Sequence, residues 1–250
     1  MHFANTYIRE KIFVGDNVKK ADVLDKTLTN IELSRIRDEL NKDALRYTYS
    51  SIVTFADGIS GLSNSFYSWP IVKLYYSIFY AFRAILGFNG ICLFYIGNKP
   101  YSLNIHTGDI TNRSGNTHAC VMDLYSKTYP SSPLMSQEID LEHPTKWFID
   151  LREKANYKLG KYTEPDVPVY FKKIVDTGIE ACFKQYIADD SYSFAFDIDH
   201  ASVAFPIEVL KLTLVRKCSM GLIFDDADHA FLEYLLDNKG HGLQHFSNYL

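Results

Sequence analysis

Apolar residues recur at helical spacing along most of the chain. In the first such stretch the apolar positions include pairs three, four and seven residues apart, the spacing of one face of an amphipathic helix. These positions are Ile31, Leu33, Ile36, Leu40, Leu45 and Ile52. Thr29 and Asn30 are residue types that cap helix N-termini, and the glycines of ADGISGLS interrupt the pattern. The sequence therefore predicts one long helix that ends near these glycines.

A second and almost entirely apolar helix is predicted from Ser68 to Gly87 or Gly90. Pro70 falls in its first turn, where a missing N–H costs no hydrogen bond. The apolar stretch continues to residue 96, but two charged residues, an asparagine and two glycines interrupt it. This pattern favours the central helix of a soluble bundle over a membrane span.

The stretch from 91 to 144 has a different character. ICLFYIGNKPYSLNI, at its start, predicts two short strands joined by a GNKP turn. The residues that follow are rich in Ser, Thr, Asn, Gly and Pro, which is typical of irregular structure. We therefore expect 91–144 to be an insertion between core helices, irregular apart from a small β-hairpin. Residues 1–28 carry mixed signals and are expected to form an irregular arm.

The rest of the chain returns to helical periodicity. Further helices are predicted over 145–160, 166–187, 198–219 and 226–238, the first capped by Thr145 and stopped by Gly160. The expected fold class is mainly α, in a single domain over residues 1–250.

Composition narrows the functional classes. The 250 residues are 47% hydrophobic, enough for a sizeable core, and 15% aromatic. The formal charge of −4 excludes a generally basic surface, so contact with nucleic acid would need a local cluster of Lys and Arg. The N-terminus lacks a signal-peptide pattern, and we expect a cytoplasmic protein without membrane contact.

Metal and cofactor signals are weak. The four cysteines form no C-x-x-C pair and are expected to be buried thiols: Cys92, Cys120, Cys182 and Cys218. His200 and His229 each follow D-x-D just before a predicted helix, where capping by Asp is favoured over metal binding. Phosphate-binding glycine motifs and the G-x-S-x-G motif are absent. We predict no cofactor and no metal.

Two polar residues interrupt the apolar face of the helix at 145–160. Arg152 and Asn156 share that face with four apolar residues: Phe148, Ile149, Ala155 and Leu159. A charge withdrawn from water costs several kcal/mol unless it is paired or hydrogen-bonded. Arg152 therefore has either a structural partner, with Asn156 completing the network, or a ligand to hold.

Two segments resemble the signatures of the HEPN superfamily. In LYYSIFYAFRAILGFNG the matching residues are Tyr75, Tyr76, Phe79, Arg83, Ile85, Leu86 and Gly90. In LREKANY they are Arg152, Asn156 and Tyr157. With the surrounding helices the resemblance covers roughly a third of the chain. It implies a bundle of four or five helices, commonly paired into a dimer, and a role in a prokaryotic toxin–antitoxin or antiviral defence module.

The same residues have simpler structural interpretations. Tyr75 and Tyr76 are also typical core aromatics. Arg83 alternatively lies with Lys73 near a solvated edge of its helix.

In ribonucleases of that superfamily, the arginine is thought to stabilise a phosphate while a histidine four to six residues later transfers the proton. Here those positions are Asn156, Tyr157 and Lys158. Asn exchanges no proton, and ordinary Tyr and Lys titrate near pH 10. In an α-helix Tyr157 would also lie about 140° from Arg152, nearer to Glu153. A histidine from the insertion, His106 or His118, would have to replace the missing group.

Two functional hypotheses follow. In the first, the chain is a non-catalytic subunit that binds a protein, a nucleotide or RNA, with Tyr75, Tyr76, Arg83 and Lys158 as candidate ligand-binding residues. In the second, it is a metal-independent endoribonuclease in which Arg152 stabilises the charge and Asn156 with Tyr157 positions the substrate. The missing histidine favours the first. The expected assembly is a homodimer or a hetero-oligomer with a defence-system protein.

Overall fold

The structure is a computed structural model that describes residues 2–15, 17–238 and 242–250. It is mainly helical and contains a small antiparallel sheet of three strands. The α-helices are α1 (Phe3–Tyr7), α2 (Lys20–Leu24), α3 (Asn30–Ser63), α4 (Ser68–Phe88), α5 (Thr117–Thr128), α6 (Pro144–Glu153), α7 (Val169–Thr177), α8 (Ile179–Ile187), α9 (Ser193–Phe196), α10 (Ala201–Ser219) and α11 (Asp226–Asn238). The strands are β1 (Ile91–Ile96), β2 (Lys99–Asn104) and β3 (Ile110–Asn112). Two π-helical turns cover Ile8–Ile12 and Lys154–Lys158, and two 3₁₀ segments cover Pro133–Met135 and Leu243–Tyr249.

The two long helices α3 and α4 form the centre of the molecule, and both predictions are confirmed. Thr29 caps α3 by accepting the backbone N–H of Glu32, whose carboxylate accepts the N–H of Thr29 in return. The helices pack closely, since a Cβ atom added at Gly87 would lie only 3.0 Å from the Cβ of Ala44.

Helix α4, which the sequence predicts as an almost entirely apolar helix, is largely buried. It is long and apolar enough to cross a membrane, yet 78% of that stretch is buried inside the fold. Helices α3 and α10 pack along it, and α5 and α6 add further cover. This is the environment of a central helix in a soluble protein.

The expectation of an irregular insertion at 91–144 is only partly right. The β-hairpin forms as predicted, with β1 and β2 antiparallel about the turn at Gly97. However, β3 and the whole of α5 were not predicted. Helix α5 has its own cap, because the Asn116 side chain accepts the N–H of Ala119. It also has a buried face of regular spacing: Cys120, Val121, Leu124 and Tyr125. The surrounding Ser, Thr and Asn residues masked this short pattern.

The prediction of an irregular arm over residues 1–28 is also wrong in part. Helix α1, the π-helical turn after it and α2 lie in this region. The buried carboxylate of Asp43 accepts the backbone N–H groups of Phe3 and Ala4, each at 2.9 Å. Because the anchor lies about forty positions away in the sequence, local periodicity does not reveal it.

Towards the C-terminus, a stretch predicted as one helix forms two separate helices. Gly178, with φ +95°, breaks the stretch at 166–187 into α7 and α8, and α7 begins only after Pro168. Helices α10 and α11 form close to the predicted bounds.

The expectation that all four cysteines are buried is wrong for one of them. Cys92, Cys120 and Cys182 are buried, and Cys218 is exposed.

Candidate functional site

Arg152 stands at the point where α6 changes its winding. The helix continues without a break into the π-helical turn Lys154–Lys158, in which hydrogen bonds span five residues instead of four. The wider turn returns Tyr157 to the side of Arg152, with its ring centroid 5.9 Å from the guanidinium carbon. The prediction that Tyr157 lies away from Arg152 is therefore wrong, because it assumed α-helical geometry throughout.

The Arg152 side chain is largely buried and weakly paired. Only 12% of it is exposed, and its guanidinium carbon lies 5.0 Å from the ring centroid of Tyr75 on α4. Its Nη2 donates to the carboxylate of the adjacent Glu153 at the long distance of 3.4 Å. Its buried Nε has no hydrogen-bond partner among the residues that the structure describes. The guanidinium is thus neither free in solvent nor neutralised by a close carboxylate.

The insertion brings a histidine to this place. His118, in the first turn of α5, lies with its Nδ1 2.9 Å from the hydroxyl oxygen of Tyr75. Its ring stacks on Phe79, at 4.3 Å between centroids, and packs edge-on against Tyr76. The hydrogen bond occupies Nδ1 and leaves Nε2 as the ring nitrogen available to a ligand.

A second arginine approaches from the other side. Arg83 follows Tyr75 and Phe79 at intervals of four residues, so the three side chains share one face of α4. The Arg83 guanidinium carbon lies 4.1 Å from the ring centroid of Tyr47 and 5.7 Å from that of Phe79. Lys73, ten residues before Arg83, pairs with Asp57 at 2.9 Å.

The positive charges shape the titration of the neighbouring groups. Burial, followed by the charges of Arg152 and Arg83, lowers the pKa of His118 below 6.5, so its imidazole is neutral near pH 7. Burial raises the pKa of Tyr75, so its hydroxyl stays protonated. Burial and the Arg83 charge also lower the pKa of His2, which bonds Tyr47, to about 4. The site therefore combines two guanidinium groups with neutral hydrogen-bonding side chains.

The remaining predicted residues lie at the edge of this cluster. Tyr76 is half-buried and contacts the rings of Tyr75, Phe79 and His118. Asn156 is half-buried, and its amide makes no hydrogen bond to the described part of the chain. Lys158 is exposed and reaches Glu153 at 3.7 Å.

The other histidines raised as candidates, His106, His200 and His229, lie outside the cluster. His106 contacts the backbone carbonyl of Asn89. His200 is buried and bonds the hydroxyl of Tyr186, and His229 pairs with Glu233 at 3.9 Å. Asp225 accepts the N–H of Asp228 at the start of α11, so the cap is the aspartate just before the D-x-D and not one of its two aspartates. No group of three His, Cys, Asp or Glu side chains placed to hold a metal ion occurs within 2–15, 17–238 and 242–250.

The sequence contains a signal that locates His118 on a helix face. His118 precedes Val121, Met122 and Tyr125 by three, four and seven residues, the spacing of a single helix face. Since those three residues are buried, the same periodicity would have placed His118 on the inward face of α5.

Comparison of the chain with protein-family models, with curated proteins and with solved structures finds no match.

Proposed function

We propose that this chain is a HEPN-like helical protein that binds the phosphate group of RNA or of a nucleotide at Arg152. The observation that carries the proposal is the largely buried Arg152 guanidinium, whose Nε has no partner in the described residues and whose only carboxylate contact is 3.4 Å long. Phosphate suits such a group because a planar guanidinium donates to two of its oxygens at once.

The energetics favour a ligand over a purely structural role. Removing a guanidinium from water costs several kcal/mol, and well-paired structural arginines offset this through close carboxylates or carbonyls. The aromatic contacts of Arg152 with Tyr75 and Tyr157 contribute about 1–2 kcal/mol. They leave Nε without an acceptor among the described residues, and an incoming anion would supply one.

The HEPN resemblance extends the proposal to a biological setting. The resemblance rests on candidate residues of α4 and of α6 with the turn after it. It implies that the chain is a component of a toxin–antitoxin or antiviral defence module. In that setting the chain acts as a binding subunit in the cytoplasm, as a homodimer or with a partner protein of the same module.

The binding proposal is tested with a labelled single-stranded RNA and with 5′-AMP. Arg152→Gln should weaken the affinity for both roughly 10- to 100-fold, as expected for the loss of about 1.5–3 kcal/mol in charged hydrogen bonds. Arg35→Gln is the matched control, because Arg35 is exposed on α3. Binding is measured by fluorescence anisotropy and calorimetry.

Circular dichroism separates lost binding from lost folding in these variants. Arg152→Lys is the second variant, since it keeps the charge and stem while removing the planar fork. Folded Arg152→Gln and Arg152→Lys proteins that bind as tightly as the wild type would refute the proposal.

A second candidate function is metal-independent RNA cleavage, favoured by the position of His118 beside Tyr75. In this reaction the RNA 2′-oxygen attacks the adjacent phosphorus while Nε2 of His118 takes the 2′-hydroxyl proton. The bond from phosphorus to the 5′-oxygen breaks, that oxygen takes a proton from water, and the hydroxide formed takes back the proton held by His118. Arg152 stabilises the pentavalent phosphate, and Asn156 with Tyr157 positions the substrate.

Cleavage is tested with end-labelled RNA in excess chelator. The wild type should leave a 2′,3′-cyclic phosphate, and His118→Asn should lower the rate at least about 100-fold, the usual contribution of an acid–base group. His106→Asn serves as control, because His106 contacts Asn89 away from the cluster. An intact substrate with the wild-type protein, or equal rates in the wild type and His118→Asn, would exclude this second function.

A further inference from the structure

Large aromatic side chains are exposed close to the Arg152 site. They occur on the turn before α4, in its first turn, and on the segment that follows α6. Their exposed fractions are 56% for Phe66, 51% for Trp69, 75% for Tyr157 and 56% for Tyr162. We call Trp69, Tyr157 and Tyr162 the aromatic strip. Four exposed aromatic rings on two short segments indicate a binding surface.

The two chain segments of the strip are fastened together. Glu164 accepts the backbone N–H groups of Tyr67 and Ser68, at 2.6 and 2.8 Å. Ser68 also shares a hydrogen bond with Thr163 through their hydroxyls, at 3.1 Å. As a result, the rings of Trp69 and Tyr162 pack against each other with centroids 6.3 Å apart. These contacts therefore fix Trp69 and Tyr162 of the aromatic strip relative to each other without a ligand.

The strip begins at the proposed phosphate site. Tyr157 packs 5.9 Å from the Arg152 guanidinium, and Tyr162 follows five residues later beside Trp69. An extended chain of five residues spans at most about 17 Å, which is the reach of two to three nucleotides.

Positive charge accompanies the rings. Three exposed lysines lie along the same segment: Lys154, Lys158 and Lys161. Lys158 is 3.7 Å from Glu153, whereas Lys154 and Lys161 form no ion pair with the described residues. The carboxylate of Glu164 is engaged by backbone N–H groups. From Arg152 to Glu164 the chain carries four cationic and two anionic side chains, so this segment is locally positive on a chain of net charge −4.

We infer that the aromatic strip binds single-stranded RNA, an inference that rests on the proposed function at Arg152. One phosphate sits at Arg152, successive bases stack on Tyr157 and on the Trp69–Tyr162 pair, and the lysines follow the backbone. Single-stranded nucleic acid matches this surface because every base offers a π-face and every linkage a charge. A protein partner fits less well, because lysine is depleted at protein interfaces.

The experiment compares a labelled ten-nucleotide oligouridine with 5′-UMP. Trp69→Ala and Tyr162→Ala should each weaken binding of the ten-mer about 5- to 50-fold, the usual range for one stacked base. The affinity for 5′-UMP should stay within twofold, because the mononucleotide needs only the Arg152 site. Tyr234→Ala is the matched control, since Tyr234 is a 64% exposed tyrosine on α11. A duplex of the same length should bind more weakly than the single strand.

Two results would overturn the inference. The first is a ten-mer that binds Trp69→Ala and Tyr162→Ala as tightly as the wild type; intact 5′-UMP binding in that case leaves the proposed function standing. The second is a change in oligomeric state, measured by sedimentation, in these variants with unchanged RNA affinity, which would assign the strip to a second copy of the chain. If Arg152→Gln loses 5′-UMP binding while Trp69→Ala and Tyr162→Ala bind the ten-mer as the wild type does, the result supports the proposed function and contradicts the inference about the aromatic strip.

Discussion

Two arginines act on one histidine at the centre of the candidate site. Arg152 and Arg83 both lower the pKa of His118, and neither has a carboxylate partner closer than the 3.4 Å contact of Arg152 with Glu153 among the described residues. A neutral imidazole between two guanidinium groups leaves a local excess of positive charge. At the scale of single residues, the site is thus suited to receive an anion.

This charge arrangement predicts the titration of His118. Arg152→Gln removes one positive neighbour and should raise the pKa of His118 towards 6.5, although burial still holds it below that value. Arg35→Gln should leave the His118 titration unchanged. NMR detection of the imidazole resonances across pH 4–8 measures both. A His118 pKa that is the same in the wild type and Arg152→Gln would show that the two groups do not interact.

At the scale of elements, two local features set the site. The π-helical turn Lys154–Lys158 places Tyr157 beside Arg152, and Glu164 fastens the following loop to the start of α4. Neither is visible in hydrophobic periodicity, because one depends on a change of helical winding and the other on a contact across about 95 positions. The long helices α3 and α4 were predictable, because their apolar faces and end residues are local properties.

The Glu164 contact predicts an acid-dependent loss of stability. Burial alone raises the pKa of this carboxyl, but the hydrogen bonds from Tyr67 and Ser68 outweigh it and lower the pKa to about 2. The stabilisation is therefore present above pH 4.5 and is lost as the pH falls from 4.5 towards 2. Glu164→Gln should cost about 1 kcal/mol at pH 7, the usual value of a helix N-terminal cap, and should weaken this acid dependence.

Urea unfolding at pH 7 and at pH 3 measures this prediction. Glu138→Gln is the control, because Glu138 is exposed and forms no ion pair with the described residues. Equal stability of the wild type and Glu164→Gln at pH 7 would contradict the capping role.

At the scale of the whole molecule, the site is assembled from distant parts of the chain. Tyr75 and Arg83 come from α4, His118 from α5 in the predicted insertion, and Arg152 from α6. The mainly helical class and the β1–β2 hairpin were predictable from the sequence. The approach of His118 to Tyr75 was not, because it depends on how α5 packs against α4 across 43 positions.

The same long-range character explains the errors at the N-terminus. Residues 3–12 are anchored by hydrogen bonds to the buried Asp43 of α3. No local sequence pattern indicates this contact. Such contacts are set by tertiary packing, whereas sequence periodicity reports only which face of an element is apolar.

The most direct test of the account is the NMR signal of the Arg152 Nε–H group during titration with 5′-AMP. Phosphate binding at Arg152 predicts that this signal shifts in a saturable manner, with the same dissociation constant that calorimetry gives, while the Arg35 signal stays in place. An unmoved Arg152 signal at saturating 5′-AMP, or identical shifts in both arginines, would contradict the claim that Arg152 binds phosphate.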